Sequence, residues 1–262
     1  MSGGEEALAG LRRLLAVMQR LRDPVSGCAW DRAQDARSLA RYTLEEAYEL
    51  VDAIEAGDER ALRDELGDLL FQVVFHAQLL AERGCGDFDQ VARGIADKLQ
   101  RRHPHVFGDA TPSQADWESL KAQERAARGD EGAFAGIPAA MPALGRAAKI
   151  GRRAAQAGFD WPDAAGAMAK VLEEIDEVHA ASVRADAREL EEEVGDLLLA
   201  VTSLARHLKV DPETALRAAN RKFEARYTCM EQQAARQGQR LQDLTPAEQD
   251  ALWRRAKRDI QS

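Results

Sequence analysis

Apolar residues recur along this chain at helical spacing almost from end to end. Leu44, Ala47, Val51 and Ile54 make one stripe at i, i+3, i+7, and Leu66, Leu69/Leu70, Val73/Val74 and Leu80 make another. Farther on, Leu172, Ile175 and Val178 parallel the first stripe, while Val194, Leu197/Leu198, Val201, Leu204 and Leu208 parallel the second. Gly57-Asp58 predicts a break within the first pair of helices, and the polar patch around Ser182–Asp186 a break within the second. No segment alternates with period two for long enough to predict a strand. Asp211-Pro212-Glu213, Thr111-Pro112 and Thr245-Pro246 each place a capping side chain before a first-turn proline. The pattern predicts an all-α fold assembled from units like four-helix bundles.

The polar positions repeat more strictly than the apolar ones. Glu45, Glu46, Glu49, Glu65 and Asp68 recur 128 residues later as Glu173, Glu174, Glu177, Glu193 and Asp196, together with Gly67/Gly195, Leu69/Leu197 and Leu70/Leu198. Lys98/Arg102 answer Lys222/Arg226 at an offset of 124, and Trp117/Lys121 answer Trp253/Lys257 at 136. Each copy thus carries acids, then a Lys/Arg pair, then a Trp/Lys pair, in one order. Residues 128–142 are rich in Gly, Ala and Pro and lack periodicity. The expected organisation is a module at 1–128, a linker at 129–145 and a second module at 146–262.

Bulk properties narrow the class. With 31% charged, 45% apolar and only 5% aromatic residues, the composition is globular and favours helix. No apolar run approaches the roughly 18–20 residues needed to span a bilayer, so no membrane partner is expected. Met1–Gly10 lacks a basic region followed by an apolar one, as a signal peptide would have. Cys28, Cys85 and Cys229 are far apart, which speaks against a disulfide framework or a zinc site and suits a reducing cytoplasm. Cys28 reads as a buried small hydrophobe. A net charge of −9 disfavours duplex nucleic acid, which needs a basic face, but not nucleotides bridged to acids by a metal.

The repeated acids carry the chemistry. On a helix, Glu174 and Glu177 share a face, as do Glu193 and Asp196 on the next, and antiparallel packing would bring four carboxylates together. Such a group is stable only around cations, and an oxygen-only ligand set selects Mg²⁺, or Mn²⁺, over zinc. Lys222 and Arg226, four apart, suit polyphosphate oxygens; Trp253 offers an indole on which any base can stack, with Lys257 one turn away. Taken singly, an acidic pair is more often a solvated face, Lys222/Arg226 surface charge and Trp253 a packing residue. Repetition of the acids at fixed spacing reverses that balance. His76 and His207 are expected at helix surfaces or boundaries. A di-iron bundle wants Glu-x-x-His on two helices, and only Asp176-x-x-His179 comes near.

Several local sequences resemble the MazG nucleoside triphosphate pyrophosphohydrolases: Cys28-Ala29-Trp30-Asp31, Tyr42-Thr43-Leu44-Glu45-Glu46-Ala47-Tyr48-Glu49, Asp64-Glu65-Leu66-Gly67-Asp68-Leu69-Leu70, Arg101-Arg102-His103-Pro104-His105-Val106-Phe107-Gly108 and Ala157-Gly158-Phe159-Asp160-Trp161. The resemblance spans almost the whole chain. It implies an all-α homodimer that hydrolyses nucleoside triphosphates between the α and β phosphates, with Mg²⁺, to monophosphate and pyrophosphate. It makes Glu174, Glu177, Glu193 and Asp196 metal ligands and Lys222, Arg226, Trp253 and Lys257 nucleotide contacts. Glu173 is the candidate to orient or deprotonate the water, although its helical angle lies off the main face. Ala29 stands where the family commonly has proline. Where the family can place a basic residue at the start of the second acidic helix, this chain has Glu189, leaving Arg188 beside it as the candidate contact. The C-terminal copy is the one usually credited with catalysis, yet Glu46, Glu49, Glu65, Asp68, Lys98, Arg102, Trp117 and Lys121 keep the same residues in the N-terminal copy. The expected enzyme is a base-tolerant, cytoplasmic pyrophosphohydrolase. Its rivals are a narrower enzyme acting on dUTP or phosphoribosyl-ATP and a non-catalytic nucleotide-binding module.

Overall fold

A computed structural model describes residues 3–108 and 132–260. Among them every regular element is helical, in keeping with the all-α reading, and the chain divides into two compact units, Met1–Leu120 and Lys121–Ser262. No helix among the described residues is long and apolar enough to cross a membrane.

The first unit contains α1 (Gly3–Leu21), α2 (Ala29–Ala33), α3 (Ala36–Ala56), α4 (Glu59–Glu82), α5 (Phe88–Arg102) and α6 (Pro104–Phe107). Asp35 starts α3 through a capping box with Ser38. The helix stops at Gly57, whose φ of 69° lies in the left-handed region that glycine enters without a Cβ clash. Asp58 then caps α4 through the Arg60 and Ala61 N–H groups, so Gly57-Asp58 folds α4 back along α3. Met18, Leu39, Val74, Phe75 and Leu79 form the buried core, with Phe71 set edge-on to Phe75 at 5.8 Å between ring centroids.

In the second unit are α7 (Ala143–Gln156), α8 (Ala164–Arg184), α9 (Ala187–His207), α10 (Pro212–Arg236), a 3-10 turn (Leu241–Asp243) and α11 (Pro246–Asp259). The α8–α9 hairpin turns at Ala185, a non-glycine residue at φ 56°, and Asp186 caps α9. Buried Ala167, Val171, Ala181 and Ala200 keep side chains small where the two helices pack. The Asp211 and Thr245 caps form as their sequence predicts, the latter as a capping box with Glu248; Thr111-Pro112 lies outside the described residues. Pro142 gives α7 no side-chain cap, and Glu213 of α10 supplies the missing acceptor for the Gly145 N–H at 3.1 Å.

One expectation needs correction. Cys28 is exposed rather than buried. It is the N-cap of α2, and the sheltered place in that turn goes to Asp31, whose carbonyl accepts from the half-buried Arg22. The helical stripes are real, but much of them is uncovered: Leu44, Leu66, Leu70 and Val73 are exposed, and so are their counterparts Leu172, Val194, Leu198 and Val201. Periodicity reports an apolar face without saying that the same chain covers it.

Candidate active site

The α8–α9 hairpin brings together Glu174, Glu177 and Glu193, each offering a carboxylate oxygen within 4.8 Å of the others. Glu174 is the deepest, at 4% exposure, and its Oε2 is buried with no hydrogen-bond donor. The neighbouring Glu174 carboxylate, together with burial, raises the Glu177 carboxyl above its ordinary range. Buried anions short of donors are what a hard cation relieves, so the donor set fits Mg²⁺ or Mn²⁺. Asp196, one turn beyond Glu193, stands outside this trio and lines the adjoining cavity.

One residue here escaped the sequence reading. Lys170 sends its Nζ to Glu174 at 2.6 Å and Glu173 at 2.8 Å, with Glu177 at 3.9 Å. Those hydrogen bonds push its own pKa up. Its spacing to the acids, i+3, i+4 and i+7 on one helical face, was legible in the sequence. Glu173 is exposed and tied to this ammonium, apart from the trio. Arg188 pairs with Glu192 at 3.1 Å on the surface, while Glu189 binds Arg184.

The first unit builds the same trio from Glu46, Glu49 and Glu65, again with oxygens within 4.8 Å, and Asp68 stands outside it. Burial raises the Glu46 and Glu65 carboxyls, helped by the surrounding carboxylates, Asp68 among them. The position matching Lys170 is Tyr42, whose hydroxyl accepts from Arg41 at 2.6 Å. The two copies therefore share the carboxylate trio and differ at the position of Lys170.

Arg226 and Lys257 both lie against the Trp253 ring, 5.8 and 5.6 Å from its centroid, and Phe223 tilts on it at 5.3 Å. Lys222 is exposed one turn before Arg226 on α10. Arg226, Trp253 and Lys257 thus come together between α10 and α11. Lys98 and Arg102 lie on α5, and Trp117 and Lys121 fall outside the described residues.

Beside the carboxylates of the second unit, α7, α8 and α9 enclose a cavity of about 580 Å³. Lys170, Glu174 and Asp196 line it together with Phe134, Phe159 and Trp161. Arg206 also lines it, donating to Asp160 through Nη1 at 2.8 Å and through Nη2, while His207 Nε2 lies 3.1 Å from the same carboxylate. The Arg206 bonds, with help from His207, hold Asp160 down at about 2. His207 is the last residue of α9, a helix boundary as expected, and His76 in the first unit lies 3.0 Å from the Thr43 hydroxyl.

The sequence profile of the MazG nucleotide pyrophosphohydrolase domain matches residues 34–107 and 163–229, one segment in each unit. The chain belongs to that family. Both MazG segments contain the carboxylate trio and the Lys/Arg pair; Trp253 and Lys257 lie beyond the second. Two relatives align with it nearly end to end. The chain is 47% identical over 253 residues to the nucleoside triphosphate pyrophosphohydrolase of Escherichia coli, covering 94% of this chain and 96% of that one. It is 44% identical over 254 residues to the nucleoside triphosphate pyrophosphohydrolase/pyrophosphatase MazG of Thermotoga maritima, covering 97% and 98%. A nucleoside triphosphate pyrophosphohydrolase of Mycolicibacterium smegmatis is 40% identical over 151 residues, 55% of this chain and 46% of its own.

Proposed function

We propose that this MazG chain hydrolyses nucleoside triphosphates to monophosphate and pyrophosphate with Mg²⁺, with wide tolerance of the base, and that the second unit is the catalyst. The carrying observation is the Glu174–Glu177–Glu193 trio with its buried, donorless Glu174 oxygen, in a chain whose relatives carry that activity in their names. Glu174, Glu177, Glu193 and Asp196 would hold the ion. When bound, it supplies charge neutralisation for phosphate oxygens and acidifies water, and Mn²⁺ would serve the same oxygen set.

The chain's own groups do the rest. Lys170 transfers its Nζ from the carboxylates to the arriving triphosphate. Glu173, released from that ammonium, accepts the proton of the attacking water at its carboxylate. Lys222, Arg226 and Lys257 neutralise the pyrophosphate that leaves, with Trp253 holding Arg226 and Lys257 in place, and Arg188 is a further candidate phosphate contact. Base tolerance is broad because these contacts address phosphate, which every nucleotide shares. Lys98, Arg102, Trp117 and Lys121 are the first unit's counterparts.

A homodimer accounts for the exposed apolar positions that the two units share. Faces of this kind on soluble helical proteins mark association surfaces.

Pyrophosphate release from ATP, GTP, CTP, UTP and dUTP, measured for wild type, Glu49→Gln and Glu177→Gln, tests the reading. Turnover lost only in Glu177→Gln supports it. Loss only in Glu49→Gln reverses the choice of unit, and no pyrophosphate from wild type with any nucleotide removes the enzyme reading.

A further inference from the structure

One lining residue of the cavity in the second unit comes from outside the helices around it. The rest belong to α7, α8, α9 and residues 159–161, whereas Phe134 reaches the cavity from the stretch ahead of α7. Residues 132–142 read Gly-Ala-Phe-Ala-Gly-Ile-Pro-Ala-Ala-Met-Pro, without one polar side chain in a chain that is 31% charged. Packing, not side-chain hydrogen bonding, must therefore hold this stretch in place.

Its backbone bonds are local. The Ala135 N–H donates to the Gly132 carbonyl and the Ile137 N–H to that of Phe134, both at 3.2 Å, and the Met141 N–H donates to the Pro138 carbonyl at 3.5 Å. Among the described residues, no hydrogen bond ties 132–141 to a helix. Two apolar anchors remain: Phe134 at the cavity, and Met141, whose Cε lies 3.9 Å from where a Cβ of Gly145 on α7 would be. Phe134 stands between two glycines of positive φ, Gly132 at 92° and Gly136 at 73°. Glycine passes between positive and negative φ at little cost, so rotation at these two residues moves Phe134 and leaves α7 where it is.

The Phe134 ring is only half engaged. It is 52% exposed, and the other aromatic residues of the lining, Phe159 and Trp161, are 83% and 44% exposed. Apolar area left in water favours whatever covers it. At about 580 Å³, the cavity falls within the roughly 300–1,000 Å³ usual for small-molecule sites. At the 128-residue offset, Gln72 and Phe75 stand for the lining residues Ala200 and Ser203, and both are buried, Phe75 within the core. The second unit is thus the one in which a lid has something to cover.

We propose that residues 132–136 form a hinged lid, with Phe134 as its pad, which closes over the cavity on a small guest carrying an apolar ring. Such a lid acts on passage into the cavity and is independent of the pyrophosphohydrolase reading; without it, the carboxylate trio stands as described.

Fluorine NMR on the full chain labelled with 4-fluorophenylalanine tests the lid, with benzene as the guest, since apolar cavities take it up. The Phe134 resonance is the one missing from Phe134→Leu. In the free protein it is expected to exchange between closed and lifted positions, and benzene is expected to raise the closed-to-lifted ratio at least threefold. Gly136→Ala, strained at φ 73°, is expected to change that ratio at least threefold without benzene. Phe134→Ala is expected to weaken benzene binding at least threefold, followed through the Phe159 resonance. A single Phe134 environment that benzene leaves unmoved overturns the lid. So does an exchange that Gly136→Ala alters and benzene does not, which describes a loose segment with no guest, and so does equal benzene affinity in Phe134→Ala. Should Gly136→Ala fail to fold, the benzene titrations of wild type and Phe134→Ala decide.

Discussion

Asp160 offers a quantitative check on how the cavity wall is held. Arg206 grips this carboxylate with both terminal nitrogens and His207 adds a third contact, bringing it from an ordinary 3.8 down to about 2. At ~1.36 kcal/mol per pH unit, that depression corresponds to about 2.5 kcal/mol as an upper bound. The Asp160 side chain retains 27% of its exposure, so solvent screening reduces the expected contribution to about 1–2 kcal/mol. Asp160→Asn keeps the shape and removes the charge. Because the folded carboxyl is depressed, its contribution is complete above the unfolded value near 4 and is lost as pH falls toward 2. Urea unfolding of the full chain, followed by fluorescence and circular dichroism, should place the variant about 1–2 kcal/mol below wild type at pH 7, with the gap about halved by pH 3. Equal stability at pH 7, or a gap that widens on acidification, would refute the argument.

Other consequences are as direct. Lys170→Met should tighten Mn²⁺ binding by calorimetry, since the competing ammonium is gone, while pyrophosphate release drops at least tenfold; weaker metal binding would show that Lys170 is structural. Mg²⁺ should raise the melting temperature more at pH 8 than at pH 5, because the raised Glu46, Glu65 and Glu177 carboxyls bind protons in competition with the ion at the lower pH. A shift independent of pH contradicts that competition. Ala185→Gly should stabilise the α8–α9 hairpin by about 0.5–1 kcal/mol, by relieving a left-handed residue at φ 56° in thermal or urea unfolding. Leu198→Glu should shift sedimentation toward the monomer if the exposed α9 face is the dimer contact, and an unchanged mass would move that contact elsewhere.

What the sequence made legible was whatever is written locally. Caps at Asp58, Asp186, Asp211 and Thr245 depend on a few adjacent residues, and they appear where their chemistry predicts. The trios were legible because the repeat flagged their acids and two helical spacings define a face. Asp68 and Asp196 fall outside the trios because helical angle alone does not fix how far a short side chain reaches across a hairpin. The cavity could not be read, since Phe134, Trp161, Gly151 and Ser203 come from four separate segments and converge only in the folded unit. Lys170 could have been read, being three and four residues ahead of Glu173 and Glu174, but lysine on a helix is common enough to pass as surface. Exposure of the stripes at Leu44 and Leu172 depends on what covers them, which periodicity does not encode.

Lys170 also changes what an arriving nucleotide must bring. In the first unit, the charges acting on Glu46 and Glu65 are those of other carboxylates, and Tyr42 stands where Lys170 does. The second unit keeps one cation on a tether, parked on the acids and lining the cavity beside them. Under the proposed function, substrate entry there would be an exchange of partners in which the Lys170 ammonium leaves carboxylate for phosphate, and the freed Glu174 and Glu177 would be the residues to hold an ion. Such a site rests as a closed circuit, and the triphosphate is the switch that rewires it.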